Sequence, residues 1–293
     1  EESFFKIISY GVTRNDGEYI NAWDPQLVII DEAQRIKNWK TQTAQAVKKI
    51  SSEYTIVLTG TPLENRIQEL HSIVEYIDRY KLGPLYRFLH NHQVVDDNGK
   101  VTGYKNLRGI NQSLKNILVR RTRKEIADQL PNRVDKNYFV DMTPEQRKIH
   151  NEYYEVVCRL VNLWIRKGFL TEDEQQKLLI SLNCMRMVCD STYLIDQKSN
   201  SGNKISDLTD LIEDLTEDSE SKIVIFSQWK RMFTLIIDQL ERMKIPFVYL
   251  NGDVAASDRD KMINQFHNDK NIRVFLSTDA GGVGVNLQCA NCL

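Results

Sequence analysis

Cysteine is scarce: five residues lie scattered through 293, too few and too dispersed for a disulfide framework, so a reducing compartment is expected. An excess of charge of one sign is also missing. The 39 Lys and Arg face 40 Asp and Glu, which excludes a uniformly basic nucleic-acid coat but leaves room for a local basic groove. Long apolar runs are absent. Segments such as Leu27–Ile30 and Ile223–Phe226 stop far short of the roughly 20 residues that span a bilayer, and the acidic start Glu1-Glu2 is unlike a signal peptide, so no membrane partner is expected. Internal repeats and low-complexity tracts are lacking too. What remains is an ordinary globular composition, 41% apolar and 27% charged, which rules out disorder and fibrous structure. The length suits two domains of about 150 residues each. The chain opens without Met and closes on Asn291-Cys292-Leu293 with no helix or strand read behind it, so both ends are expected to be cut.

The first third alternates short β-like runs with helical patterns. Leu27–Ile30 reads as a strand buried on both faces and ending at Asp31-Glu32. Ala44–Ile50 reads as a helix, and Thr55–Leu58 as a second buried strand running into Thr59-Gly60-Thr61-Pro62. Strands separated by helices imply a parallel α/β sheet. Leu63, Ile67, Leu70, Val74 and Ile77 recur at helical spacing, with Gly83-Pro84 expected to close that helix. Lys105–Lys124 carries seven basic side chains and no acidic one, which suits either a solvated helix face or a phosphate-facing surface. Thr143-Pro-Glu-Gln146 is a capping box that starts a helix with Gly168 as its C-cap, and a second helix spans about Glu172 to Val188. Asp196–Asn203 reads as a linker. Beyond it comes an amphipathic helix, Ile205–Leu215, with a purely acidic polar side. Strands then follow at Ile223–Phe226, Phe247–Leu250 and Arg273–Leu276, with helices Arg231–Met243 and Ser257–His267 between them. The organisation expected is 1–64, the later part of a first lobe; 65–140, a helical insertion and return; 141–202, a helical insertion and linker; and 203–293, a second lobe.

Ligands of open parallel sheets sit beyond the carboxyl ends of the strands. Three strand ends here carry conspicuous residues: Asp31-Glu32, Thr59-Gly60-Thr61, and Ser277-Thr278 followed by Gly281, Gly282 and Gly284. Adjacent carboxylates at a strand end suit phosphoryl transfer, one holding a metal and the other orienting water, although solvated turns also end in carboxylates. A Thr-Gly-Thr loop can hydrogen-bond to such a motif and relay nucleotide state. A glycine-rich turn after a strand can serve phosphate or ribose, or can be only a turn.

In order and spacing, Val28-Ile-Ile-Asp-Glu-Ala-Gln-Arg-Ile-Lys-Asn38 and Leu58-Thr-Gly-Thr-Pro-Leu-Glu-Asn65 resemble motifs II and III of the Swi/Snf-type ATPases of helicase superfamily two. Leu118-Val-Arg-Arg-Thr-Arg-Lys124 and Met142-Thr-Pro-Glu-Gln146 look like that family's exit from its first lobe. Ile223-Val-Ile-Phe-Ser-Gln-Trp229 is similar to motif IV, and Leu276-Ser-Thr-Asp-Ala-Gly-Gly-Val-Gly-Val-Asn-Leu287 to motif V. The resemblance covers nearly the whole chain. It implies an α/β fold of two RecA-like lobes with a helical insertion, and a DNA-stimulated ATPase that tracks along duplex DNA, with ATP and Mg2+ as cofactors. Carried over residue by residue, Asp31 holds Mg2+ through water and Glu32 polarises the attacking water. Gln34 links the site to the other lobe. Thr59, Gly60 and Thr61 couple hydrolysis to movement, and Gly282 and Gly284 approach the nucleotide from the second lobe. Ser227, Gln228, Ser277 and Thr278 contact the backbone of double-stranded DNA, and the basic stretch Lys105–Lys124 separately suggests a DNA-facing surface at Arg120 and Arg121. The implied location is cytoplasmic in a bacterial or phage-infected cell, or nuclear in a eukaryote.

Three positions depart from eukaryotic remodellers: Gln34 replaces His, Glu64 replaces Gln and Asp279 replaces Arg, which leans towards a bacterial or phage relative. No Gly-x-x-x-x-Gly-Lys-Thr/Ser is present, and the family's last motif, with its arginine finger, is not in the sequence. The 293 residues alone are therefore expected to lack ATPase activity. The alternatives are a non-hydrolysing nucleic-acid-binding or partner-docking module, and a member that recycles RNA polymerase, for which RNA polymerase or another protein complex is the expected partner. Cys289-x-x-Cys292 and Cys184-x₄-Cys189 lack partners for a zinc site, so Cys289 is expected to pack as a small apolar residue. His90 and His92 are expected in a solvated loop, and Tyr153, Tyr154 and Trp164 in a core.

Overall fold

The computed structural model describes residues 3–60, 66–97, 99–122, 124–125, 128, 133–218, 220–278, 282 and 284–293. They fall into two compact units, Glu1–Arg133 and Val134–Leu293. Each is α/β in the sense expected: its strands in the sheet that carries the motifs run parallel, with helices between them.

In the first unit, α1 (Tyr10–Ala22) precedes β1 (Leu27–Ile30), a 3₁₀ turn (Ala33–Ile36), α2 (Gln42–Lys48) and β2 (Tyr54–Val57). Ser9 caps α1, accepting from the Val12 N–H, and Thr41 caps α2 through the Ala44 N–H. β1 and β2 pair parallel, Leu27 opposite Tyr54 through Ile30 opposite Val57. One face of the pair rests on a core of Ile30, Ala33, Ile36, Ala44 and Val47. The expectation of strands buried on both faces is corrected here. Side chains alternate across a strand, and Ile29 at 57% and Ile56 at 46% exposure lie on the uncovered face with Leu27, Tyr54 and Leu58. The α1 helix was not read from the sequence at all.

α3 (Ile67–Ile77) follows, burying Ile67, Leu70 and Val74 with Phe88, Ile110 and Leu114 in a second cluster. It ends at Asp78, whose carboxylate accepts from the Tyr80 N–H, so Gly83-Pro84 does not close it. Pro84 instead caps α4 (Leu85–His92). His90 and His92 are thus helical rather than in a loop, and the His92 ring lies 4.8 Å from that of Phe88. A hairpin of β3 (Gln93–Val95) and β4 (Val101–Tyr104) comes next, then α5 (Leu107–Leu114).

The second unit opens with α6 (Pro144–Lys167) and α7 (Glu172–Val188), both carrying complete capping boxes, and Gly168 ends α6 at φ 78°. The two helices pack on each other. Tyr154 and Trp164, expected in a core, are each 52% exposed, because the narrow stripe of α6 that meets α7 runs through Ile149, Tyr153, Val156, Leu160 and Leu163. The segment read as a linker is a hydrogen-bonded turn. After α8 (Tyr193–Asp196), the Asp196 carboxylate accepts from the Lys198 and Ser199 N–H groups and from the Ser199 hydroxyl, and the Ser201 N–H donates to Thr192 Oγ1.

α9 (Lys204–Glu217), β5 (Ile223–Ser227), α10 (Lys230–Met243), β6 (Phe247–Leu250), α11 (Ala256–Asn268) and β7 (Val274–Thr278) complete the chain. The parallel sheet has the order β5-β7-β6. Strand alternation sorts its two faces. Ile223, Val274 and Leu276 meet Phe233, Ile236 and Leu240 of α10 on one side, whereas Val224, Val248, Leu250 and Phe275 meet Phe266 of α11 on the other. β7 is longer than read, because central position and double-sided cover extend it through Ser277 and Thr278. Cys289 packs in the α11-side cluster as expected, while Cys292 pairs with Ile223 at the free edge of β5.

Candidate nucleotide and nucleic-acid sites

The carboxyl ends of β1 and β2 lie side by side because their ladder continues past the strands: the Leu58 N–H donates to Ile30 O at 2.8 Å and the Ala33 N–H to Leu58 O at 3.0 Å. Asp31 and Glu32 are both exposed there. Glu32 adopts the left-handed region, φ 51° and ψ 47°, a conformation that costs a non-glycine residue about 1–2 kcal/mol and sends successive side chains in different directions. Its N–H donates to Asp31 Oδ1 at 2.8 Å. The Gln34 amide then joins the two strand ends, donating through Nε2 to Glu32 Oε2 and accepting from the Thr59 hydroxyl through Oε1 at 2.9 Å. Asp31, Glu32, Gln34 and Thr59 are thus brought together as a continuous hydrogen-bonded set. Gly60 follows Thr59 with open space around it. Thr61, like Glu64, lies outside the described residues.

Tyr10 was missed by sequence reasoning. Its hydroxyl donates to the Asp31 carbonyl at 2.6 Å, across 21 residues of chain, and the Arg35 guanidinium sits 5.8 Å from its ring. Burial raises its phenol above the ordinary value; Asp31 and Glu32 push the same way and Arg35 opposes, so the group is a protonated donor at neutral pH. Only the Ser9 cap could have flagged the helix that presents it.

In the second unit the end of β5 carries Ser227, half-buried and accepting from the Trp229 N–H, and exposed Gln228. Gln228 Oε1 accepts from Arg186 Nη2 at 3.0 Å, and the Arg186 guanidinium lies 5.9 Å from the Trp229 ring. Arg186 is a second residue the sequence reading missed, though a lone charge among Leu182, Met185, Met187 and Val188 was a usable signal. A cleft of about 790 Å³ adjoins these residues, with Asp207, Asp210 and Asp214 along its other wall. Those carboxylates make that wall unfavourable for phosphate, whereas the Arg186–Gln228 rim carries a cation. Ser277 is fully buried and Thr278 is 9% exposed in the central strand, and the Ser277 hydroxyl donates to the Thr278 carbonyl at 3.1 Å. Gly282 packs on Phe226: a Cβ there would overlap ring atom Cε1, so the absence of a side chain serves β5–loop packing. Gly284 has φ 74°, a glycine conformation. Asp279 and Gly281 lie outside the described residues. Arg120 and Arg121 of the first unit are exposed beyond α5, and Arg123 lies outside the described residues.

Paired strand-end carboxylates tied to a threonine loop, at the carboxyl edge of a parallel sheet, match the pattern expected of a nucleotide hydrolase. The chain belongs to the SNF2-related family: the SNF2-related domain model matches residues 2–194, and the helicase conserved C-terminal domain matches residues 203–293. It is similar to the Bacillus subtilis protein YwqA, named as an ATP-dependent helicase/translocase, with 29% identity over 97% of this chain and 31% of that protein. It is 27% identical to the zebrafish (Danio rerio) chromodomain-helicase-DNA-binding protein 1-like, over 97% of this chain and 28% of the relative. The Sulfolobus solfataricus SWI2/SNF2 ATPase core solved in complex with dsDNA is 28% identical, with a TM-score of 0.46, over 96% of this chain and 59% of that one. The chain therefore spans under a third of the length of these curated relatives.

Proposed function

We propose that this chain is the central portion of an ATP-dependent translocase on double-stranded DNA, in which ATP hydrolysis between two RecA-like lobes drives movement. The hydrogen-bonded set Glu32–Gln34–Thr59 carries this reading, because it joins the hydrolytic carboxylate to the loop at the end of the neighbouring strand. Magnesium is the ion this reading calls for. The exposed strand-end carboxylate of Asp31 suits an ion that keeps most of its water. Asp31 would hold Mg2+ through water, and the ion would supply neutralisation of phosphate charge. Glu32 orients and polarises the attacking water. Gln34 fixes the Glu32 carboxylate with one end of its amide and senses Thr59 with the other, so displacing the Thr59 loop reorients Glu32. Gln228, Arg186, Arg120 and Arg121 contribute sequence-blind backbone contacts to duplex DNA.

Support for a coupled hydrolase comes from a complete carboxylate–amide–hydroxyl chain, which a docking module does not need. No phosphate-cradling Gly-Lys-Thr loop is present among these 293 residues, so this piece by itself turns over no ATP. The test uses the full-length protein. Phosphate release should rise with duplex DNA and vanish in Glu32→Gln; a full-length wild type that binds DNA but releases phosphate no faster than Glu32→Gln contradicts the proposal.

A further inference from the structure

We propose that Tyr10 is a positioning residue of the hydrolytic site, holding the Asp31–Glu32 turn in its left-handed form through the hydroxyl it donates to the Asp31 carbonyl. This rests on the reading of Asp31 and Glu32 as the hydrolytic carboxylates. The peptide between those residues is held at both ends. Its carbonyl accepts from Tyr10 Oη at 2.6 Å, and its N–H donates to Asp31 Oδ1 at 2.8 Å. That peptide leads into Glu32, whose φ of 51° is unfavourable for a residue with a Cβ and persists only where the surroundings over-determine it. The Asp31 side chain cannot serve as the whole restraint, because its own direction depends on the same peptide. Tyr10 supplies an anchor from outside the turn. Its backbone sits at the start of α1, fixed by the Ser9 cap, and its ring packs against the core of Ile30, Ala33 and Ile36. The hydroxyl therefore has a fixed origin, and its reach sets where the Asp31 carbonyl points. The Arg35 guanidinium, on the following turn, lies over the ring at 5.8 Å from its centroid and adds a cation–π contact.

A control lies in the same cluster. Tyr76 also packs on that core, and its buried hydroxyl has no hydrogen-bond partner among the described residues. Tyr10→Phe and Tyr76→Phe each delete one phenolic oxygen from one core, but only the first removes a bond to the turn.

The experiment compares the two variants in the full-length protein by steady-state ATP hydrolysis with duplex DNA and by amide hydrogen exchange across residues 29–36. Tyr10→Phe should lower kcat roughly tenfold to hundredfold, the range expected when a reacting group is displaced by up to 1 Å, with KM for ATP within about twofold of wild type. Exchange in 29–36 should speed up, while Tyr76→Phe matches wild type in both readouts. Equal losses in the two variants, or unchanged exchange and kcat in Tyr10→Phe, overturn the proposal. The exchange measurement stands even where wild type shows no hydrolysis: slow turn exchange that depends on Tyr10 then keeps the positioning role and removes only the hydrolase reading.

Discussion

Removing the Gln34 amide separates coupling from simple binding. Gln34 is half-buried and makes two side-chain bonds, one to an exposed carboxylate and one to a half-buried hydroxyl. A bond to a charged group is worth about 1.5–3 kcal/mol and a neutral one about 0.5–1.5 kcal/mol. Water reaches Glu32 and takes up part of the loss, so Gln34→Ala should cost about 1.4 kcal/mol in transition-state stabilisation, a tenfold fall in kcat. Neither bond is to nucleotide, so KM for ATP should stay near wild type. Thr59 makes further contacts, so Thr59→Val alone does not measure the link; the double variant does. If Gln34 transmits the state of Thr59, Gln34→Ala/Thr59→Val should be hardly slower than Gln34→Ala, with a coupling energy of at least about 0.5 kcal/mol. The assay is DNA-stimulated phosphate release by the full-length protein at saturating ATP. Losses that multiply, so that the energies add within about 0.3 kcal/mol, refute the relay.

Gly282→Ala should lower the Tm of the full-length protein only slightly, by at most about 1 kcal/mol, because the new Cβ meets the far edge of the Phe226 ring, a 41% exposed side chain that can shift. Phe226→Ala in the same background should restore most of that loss, and no restoration removes the packing account. Neutralising Arg120 and Arg121 together should lower the salt slope of DNA binding by at most about 1.8, near 0.9 per phosphate contact, and an unchanged slope assigns both residues to solvated surface. Asp196 is held below its ordinary 3.8 by the Ser199 hydroxyl first and by the Lys198 and Ser199 N–H groups next. A carboxylate whose folded value is depressed contributes stability above its unfolded pKa and loses it as pH falls through the folded value. Asp196→Asn should therefore lower Tm at pH 7 and converge with wild type once the pH has fallen through the depressed folded value, beneath 3.8; a difference that persists there puts the effect elsewhere.

Where the sequence carries its own restraint, the structure follows it closely. The capping box at Thr143 starts α6 where expected, α7 begins at Glu172 as read, and the short apolar runs at 223, 247 and 273 form the strands β5, β6 and β7. These are local effects, a hydroxyl reaching a nearby N–H or a short apolar run meeting a buried sheet. The carboxylates at the end of β1 and the threonine at the end of β2 were legible for the same reason, since strand ends are set by the runs before them.

Other features answered to distant chain. Whether Leu27–Ile30 is covered on one face or two depends on what lies against the sheet, and an apolar run is compatible with both. Ser277 reads as a strand-end hydroxyl, yet the partners on both sides of β7 extend the strand through it and bury it. Tyr10 and Arg186 gain their neighbours across 21 and 42 residues, with no spacing rule to mark them. The sequence by itself determined the family, the helix starts and the chemical inventory of the site, because those depend on residue type and short-range period. Only the tertiary structure decided that Gln34 bridges Glu32 to Thr59, that Tyr10 holds the Asp31 carbonyl and that Gly282 makes room for Phe226. A hydrogen bond or a steric clearance exists only once packing has fixed both partners in space.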